Sequence, residues 1–141
     1  YGASGALINV GGDVRVDGIP PEGSGWKVEI ADSDDAVIDT VVLNEGAVAT
    51  STTKKRTWDH NGEKVNHLID PKSGKSVSGD IVLASVISAK CWQAEILTKF
   101  LMLEIKSKAF EKIEDLGAQG LVCYSNGKFE TTSGWSDFNI K

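Results

Sequence analysis

Near residue 90 the spacing of apolar residues changes from that of a strand to that of a helix. Residues 81–88 form a short apolar run rich in β-branched side chains, which predicts a strand. In residues 89–103 the apolar side chains recur at helical spacing instead. They are Trp92, Ile96, Phe100 and Leu103, with Leu97 and Leu101 beside them. This change excludes an all-β fold and places a helix directly after a buried strand.

The residues before this point alternate in period two and are broken by turn residues, as is typical of strands. Strands are predicted at residues 6–10, 14–16, 26–30, 37–43 and 64–65, and residues 47–58 are predicted as one long or bent strand. Gly11 and Gly12 predict a sharp turn, because glycine accepts the positive φ that tight turns need. The turn residues 59–62 predict a hairpin that returns through residues 64–65.

The residues after the first helix predict a second helix and a hairpin. The second helix is predicted at residues 107–116, with Ser107 as its N-cap and Gly117 just past its end. Residues 121–124 and 128–132 are predicted to form a hairpin. Its turn contains Asn-Gly, which favours a type I′ turn.

The order of strands, helix, helix and hairpin predicts the fold class. It is an α+β fold, in which the helices lie on one face of a mainly antiparallel sheet. A length of 141 residues with 40% apolar content predicts a single domain over residues 1–141. Three tryptophans, Trp26, Trp58 and Trp92, are interpreted as core or strand-face anchors.

Charge and hydropathy exclude two kinds of partner. The formal net charge is −5 and the lysines are scattered, so the chain lacks the basic surface that binds nucleic acid or anionic lipid. No apolar run approaches the roughly 18–20 residues that span a bilayer.

The stretch HLIDPKSG at residues 67–74 has two interpretations. Pro71 prevents a helix here. Asp70-Pro71 followed by Ser73-Gly74 predicts a tight turn in which Asp70 can accept backbone N–H bonds. In the first interpretation Asp70 folds the loop and His67 is a surface or satisfied histidine. In the second, His67 acts near its neutral pKa as a general base or a phosphate ligand. The spacing alone leaves both open.

Five segments share their order and spacing with one known family. They are NVGGDVR at residues 9–15, GWKVEI at 25–30, ATS at 49–51, HLIDPKSG at 67–74 and AEILTK at 94–99. In these segments the chain resembles the ApbE-type flavin transferases, over about residues 2–135. These FAD:protein FMN transferases were formerly labelled thiamine biosynthesis lipoprotein ApbE.

The resemblance implies an activity and its partners. Members of the family bind FAD and a divalent metal, usually magnesium. They transfer FMN through a phosphoester to a threonine of an acceptor flavoprotein, at a Ser/Thr-Gly-Ala-Thr site, and release AMP. They usually work outside the cytoplasm as membrane-anchored lipoproteins, which is the localisation that the resemblance implies.

The resemblance also implies an ApbE-like, T-fold-like domain that is incomplete at its N-terminus. Family members carry a comparable stretch upstream of the segment at residues 9–15, and nothing in this chain matches it. Residues 1–141 are therefore expected to be the C-terminal part of such a domain. Its expected partner is the missing N-terminal half or a second copy of the chain, because an open strand edge favours pairing.

Single residues take their implied roles from the same resemblance. His67 is the implied catalytic residue; Ile69, Thr50 and Asp70 are the implied cofactor-binding residues; Glu95 is the implied metal ligand. Lys99 stands where the family has a second metal ligand, a threonine, and Glu95 with Lys99 forms an i, i+4 ion-pair arrangement on a helix. Two function classes follow: an FMN transferase, or a non-catalytic flavin-binding, nucleotide-binding or structural module that lacks the metal site.

Overall fold

The structure is a computed structural model that describes residues 2–104 and 106–140, with residues 106 and 107 described by their backbone alone. Its strands are β1 (Gly5–Val10), β2 (Asp13–Gly18), β3 (Trp26–Ala31), β4 (Val37–Leu43), β5 (Gly46–Thr52), β6 (Thr57–His60), β7 (Glu63–Asn66), β8 (Ile81–Ser88), β9 (Gln119–Tyr124) and β10 (Phe129–Thr131). Its helices are α1 (Cys91–Leu103) and α2 (Lys106–Asp115), followed by a short 3-10 helix at Trp135–Phe138. Within the described ranges, no helix is both long and apolar enough to cross a membrane.

Six strands form one sheet in the order β1-β2-β5-β8-β9-β10, and every neighbouring pair is antiparallel. Two further antiparallel ribbons, β3 with β4 and β6 with β7, stand apart from this sheet. The predicted mainly antiparallel architecture is confirmed.

Both helices pack on one face of the six-stranded sheet. Leu97 and Leu101 of α1 and Ile113 of α2 share a buried cluster with Ala84 and Val86 of β8. The other face of β8 belongs to a second cluster, which includes the β3–β4 ribbon and the indole of Trp135, 2% exposed. A strand covered on both faces is apolar at nearly every position, which explains the sequence IVLASVIS. The prediction of helices on one face is confirmed.

The prediction of one long or bent strand at residues 47–58 is wrong. β5 ends at Thr52 and β6 starts at Thr57 in a separate ribbon. The Thr52 hydroxyl donates to the Val82 carbonyl at 2.8 Å and accepts from the Lys54 backbone N–H at 3.2 Å. Arg56 then takes a left-handed backbone with φ of 54°, which no β-strand continues.

The register of the paired strands determines the length of each tight turn. Val10 pairs with Asp13, so Gly11 and Gly12 form a two-residue turn, and both have the positive φ of a type I′ turn. This confirms the predicted sharp turn. The predicted hairpin after β6 is also confirmed, since β6 ends at His60 and pairs with β7.

The type I′ turn predicted in the last hairpin is wrong. Gly127 has a positive φ of 80° but Asn126 does not, whereas type I′ needs both. The Tyr124 carbonyl accepts from the Gly127 N–H at 2.9 Å, and the Tyr124 N–H donates to the Lys128 carbonyl at 2.8 Å. These bonds make a three-residue loop, in which a type I turn is followed by a left-handed glycine.

The second helix ends as predicted. The Gly117 N–H donates to the Glu114 carbonyl and the Ala118 N–H to the Ile113 carbonyl, both at 2.9 Å. With φ of 70° at Gly117, these bonds form a Schellman motif. The helix begins at Lys106, one residue before the predicted cap Ser107, and the side chain of Ser107 lies outside the described residues.

The inward face of α1 differs from the predicted stripe. The buried residues of α1 are Ala94, Leu97, Thr98, Leu101 and Met102. Trp92 is 63% exposed and Ile96 is 59% exposed, so these two lie on the outward side. Trp58 is 50% exposed on strand β6, so it is not a core residue, and the interpretation of Trp92 as a core or strand-face anchor is wrong.

Candidate functional site

The loop at residues 67–74 is folded by Asp70. The Asp70 carboxylate accepts from the Lys72 backbone N–H at 2.9 Å and from the Ser73 hydroxyl at 2.7 Å. The Asp70 carbonyl accepts from the Gly74 N–H at 2.8 Å. The Ser73 hydroxyl, followed by the Lys72 N–H, lowers the pKa of Asp70. These bonds confirm the predicted loop-folding role of Asp70.

Side chains alternate between the core and the solvent along the start of this loop. Asn66 is buried, and its amide donates to the Val77 carbonyl at 2.9 Å. Leu68 is buried in the cluster beneath α1. His67 between them is exposed, and Ile69 is 52% exposed. The loop therefore presents His67 and Ile69 outward while Leu68 anchors it.

A cavity of about 910 Å³ lies between this loop, the β6–β7 ribbon and the end of α1. Its volume lies within the range of about 300–1,000 Å³ of ordinary small-molecule sites. Its apolar lining includes Trp58, Ile69 and Met102, and its polar lining includes His60 and Lys64. His67 is not part of the lining, although it precedes Ile69 by two residues.

Trp58 and His60 line the cavity, and neither was predicted as a site residue. Both lie on β6, and β6 reaches the cavity only because the chain leaves the main sheet after Thr52. A tryptophan next to the turn at residues 59–62 is the sequence feature that could have indicated them.

A second group of charged residues lies where α1 faces β2. The Lys99 ammonium forms an ion pair with the Glu95 carboxylate, which confirms the predicted i, i+4 pair. The charges of Glu95 and Lys99 both affect the pKa of Asp13, at the start of β2. Burial first and then the Glu95 carboxylate raise the pKa of Asp13, while the Lys99 ammonium opposes them. Arg15, next along this strand face, donates to the Ala89 carbonyl at 3.0 Å.

Thr98 is turned away from this group. Its hydroxyl lies 2.7 Å from the Ser51 hydroxyl and donates to the Glu95 carbonyl at 2.8 Å. Its side chain is fully buried. Thr98 therefore packs on the buried side of α1 and contacts Ser51 there.

Thr50 lies on the other face of the sheet from α1. Its neighbour Ala49 belongs to the cluster beneath the helices, and Val48 belongs to the opposite cluster. Thr50 shares the side of Val48, because side chains alternate along a strand. Its hydroxyl is 2.9 Å from the Ser85 hydroxyl. The structure thus brings Ile69 and Asp70 together at the cavity but places Thr50 and Glu95 on opposite faces of the sheet.

The residues at Glu95 do not fit a divalent metal. Glu95 is engaged by a cation, and the hydroxyl of Thr98 points inward. Among residues 2–104 and 106–140, no group of three or more His, Cys, Asp and Glu side chains is arranged to hold a metal ion. Oxygen ligands for magnesium must be free to face one point, and here they are not.

The fold, loop and cavity together define an α+β domain with a cavity of small-molecule size beside its main sheet. Residues 1–122 match the ApbE family, and the chain belongs to that family. The ApbE protein of Thermotoga maritima matches its structure with a TM-score of 0.87 at 25% identity, over 97% of this chain and 45% of that one.

The sequence relatives of the chain carry a functional name. The FAD:protein FMN transferase of Escherichia coli (strain K12) is 29% identical over 126 residues, which cover 87% of this chain and 35% of that protein. The FAD:protein FMN transferase of Klebsiella pneumoniae (strain 342) is 32% identical over 116 residues, covering 80% of this chain and 36% of that protein. The chain thus spans about a third of the length of these relatives.

Proposed function

We propose that this chain carries the chemistry of an FAD:protein FMN transferase, which moves FMN from FAD to a threonine of an acceptor flavoprotein and releases AMP. Family membership and the names of the relatives support flavin transfer. The observation that carries the proposal is the loop at residues 67–74. It holds the exposed His67 next to a cavity edge formed by Ile69, on a turn fixed by Asp70.

The position of His67 suits a reaction with two substrates of different size. A cavity of about 910 Å³ can hold part of FAD. The acceptor, in contrast, is a protein that arrives from solvent. A base that serves the acceptor hydroxyl must therefore be reachable from outside. His67 is exposed and lies off the cavity wall, so it meets that condition.

In the proposed step, one bond forms and one breaks at the phosphorus of the FMN portion of FAD. The threonine oxygen of the acceptor attacks the phosphorus of the FMN portion of FAD, and a new P–O bond forms. The imidazole of His67 takes the hydroxyl proton. The bond from this phosphorus to the bridging oxygen breaks, and AMP leaves with that oxygen. A Ser/Thr-Gly-Ala-Thr segment is the acceptor site in this proposal.

The cavity lining suits parts of FAD. Trp58, Ile69 and Met102 offer aromatic and apolar surface to a flat ring system. Lys64 and Lys75 bring positive charge to the cavity, and Glu63 and Asp70 bring negative charge to it. The first experiment is a titration of FAD into the chain followed by flavin fluorescence, where saturable quenching supports the proposal.

His67→Ala tests the chemistry. We expect transfer to fall by about 10²–10⁴-fold, the usual contribution of a general base, while FAD affinity and the circular dichroism spectrum stay unchanged. The matched variant is His60→Ala, which removes the chain's other histidine. Because His60 lines the cavity and His67 does not, this variant should weaken FAD binding more than it slows transfer. In-gel flavin fluorescence of the acceptor measures the product. Full transfer by His67→Ala would end the proposal.

The edge strand β1 supports the proposal that a further part of the domain covers this chain in a working enzyme. Among the described residues, β1 pairs only with β2, and it leaves Ile8 59% and Val10 71% exposed. The strand GALINV has no charge or proline to prevent edge pairing. The proposed cover is the upstream half of the family's domain, because the chain spans only 45% of the Thermotoga maritima structure.

Hydrogen exchange tests this cover. The β1 amides should gain protection when the upstream half of a relative is added. Protection that appears in the chain alone and grows with its concentration would identify a second copy as the partner instead.

One observation favours the non-catalytic alternative. The Glu95 carboxylate is engaged by Lys99, which suits a flavin-binding or nucleotide-binding module without a metal site. Saturable FAD binding together with no transfer, even after addition of the upstream half, would establish this alternative.

A further inference from the structure

We infer that the Lys99 ammonium is the resident cation of the site between α1 and β2, and that this site takes no divalent metal. The inference goes beyond flavin transfer. In place of a metal, Lys99 would contact an anion, the pyrophosphate of FAD. Only the identity of this anion rests on the proposed function.

The first support is the position of the ammonium. Lys99 and Glu95 follow each other by one helical turn, and their side chains are 33% and 39% exposed. The Lys99 ammonium also acts on Asp13, where it opposes the rise in pKa that burial and the Glu95 carboxylate cause. A divalent ion at Glu95 would have to displace or oppose a positive charge that is already in contact.

The second support is the lack of a free oxygen ligand on this stretch of α1. The hydroxyl of Thr98 points into the core, where it contacts Ser51 and the Glu95 carbonyl at 2.7 and 2.8 Å. Turning this hydroxyl outward would leave the buried Ser51 without its partner. Glu95 is the remaining helix carboxylate at the site, and Lys99 holds it.

The third support is the balance of charge. Asp13 and Glu95 bring two negative charges, and Lys99 and Arg15 bring two positive charges. Arg15 also forms an ion pair with Glu45 at 3.8 Å, so it is directed to the outer edge of the cluster. The Lys99 ammonium contacts the Glu95 carboxylate, and its charge also acts on Asp13. A long lysine stem lets this ammonium move from Glu95 to a phosphate oxygen.

Manganese binding tests the inference without any flavin. The wild-type chain should show no saturable Mn²⁺ binding by electron paramagnetic resonance. Lys99→Thr frees Glu95 and adds a hydroxyl, so this variant should bind one Mn²⁺. Lys108→Thr on α2 makes the same change of charge and residue type elsewhere and should bind none. Saturable binding by the wild type, or no binding by Lys99→Thr, overturns the inference.

FAD affinity tests the anion. Chelation by EDTA should leave the Kd of the wild type for FAD unchanged, and Lys99→Met should weaken it by about tenfold or more, the loss of one charge-assisted contact. A wild-type affinity that rises with magnesium would contradict the inference. If the wild type does not bind FAD at all, the proposed function fails, while the Mn²⁺ comparison still decides the role of Lys99.

Discussion

Helix α1 has apolar side chains on two sides, and only one side is covered. On the inner side Ala94 is fully buried and Leu101 is 1% exposed, against the centre of the sheet. On the outer side Trp92 is 63% and Ile96 is 59% exposed. A helix that is apolar all round is typical of one surrounded by protein. The inner side therefore holds the fold together, and the outer side is available for a covering element and for the charged site at Glu95.

The largest effect should follow from Leu101→Ala on the inner side. The side chain is so closely packed that a Cβ added at Gly120 would come within 2.9 Å of its Cδ1. Truncation leaves a cavity that this packing cannot easily fill, and we expect a loss of about 2–5 kcal/mol in the free energy of unfolding. Urea denaturation measures it. Ile96→Ala on the outer side is the matched truncation and should cost about 0.5 kcal/mol or less. Equal losses would contradict the division of α1 into two sides.

Thr98→Val should have the next largest effect. The substitution keeps the shape of the side chain but leaves the buried Ser51 hydroxyl without its partner at 2.7 Å. We expect a loss of about 1–3 kcal/mol, the usual penalty of an unsatisfied buried polar group.

A double-mutant cycle gives the control for Thr98. Ser51→Ala combined with Thr98→Val removes both hydroxyls, and it should recover most of the loss. If the two losses simply add, the contact between these hydroxyls does not stabilise the fold.

The sequence predicted the helix α1 well but not its orientation. The spacing of Trp92, Ile96 and Phe100 is as regular as that of the residues that are buried. When apolar residues occupy both sides of a helix, periodicity cannot show which side meets the sheet. That choice depends on the small residue Ala94, which lets the helix approach β8 and β5, and on the hydroxyl pair of Thr98 with Ser51.

The turn types and the cavity could not be predicted from the sequence alone either. An Asn-Gly pair is compatible with both a type I′ turn and a three-residue loop, and strand register decides between them. At Asn61 the pair forms type I′, and at Asn126 it does not. The cavity depends on Arg56, which takes a left-handed backbone that its residue type does not favour. The loop of Asp70 was predictable because its bonds are local.

The smallest effect should come from Asp13→Asn, beside the outer side of α1. Burial and the Glu95 carboxylate raise the pKa of Asp13 in the folded chain. The folded state therefore binds a proton at Asp13 more firmly than the unfolded state does. As the pH rises from the ordinary pKa of aspartate through the raised pKa of the folded state, Asp13 lowers the free energy of unfolding. Asp13→Asn removes the effect. It should raise the free energy of unfolding at pH 7 by about 0.5 kcal/mol or less.

The dependence on pH separates this effect from a general loss of charge. Below the ordinary pKa of aspartate the carboxyl is protonated in both states, so the advantage of Asp13→Asn should vanish there. Asp17→Asn removes a charge from an exposed position of the same strand and is the control. Urea denaturation at neutral and acidic pH measures both variants. If Asp13→Asn is less stable than the wild type at neutral pH, the attraction to Lys99 outweighs burial and Glu95, and the outer side of α1 holds Asp13 as an ion-pair partner.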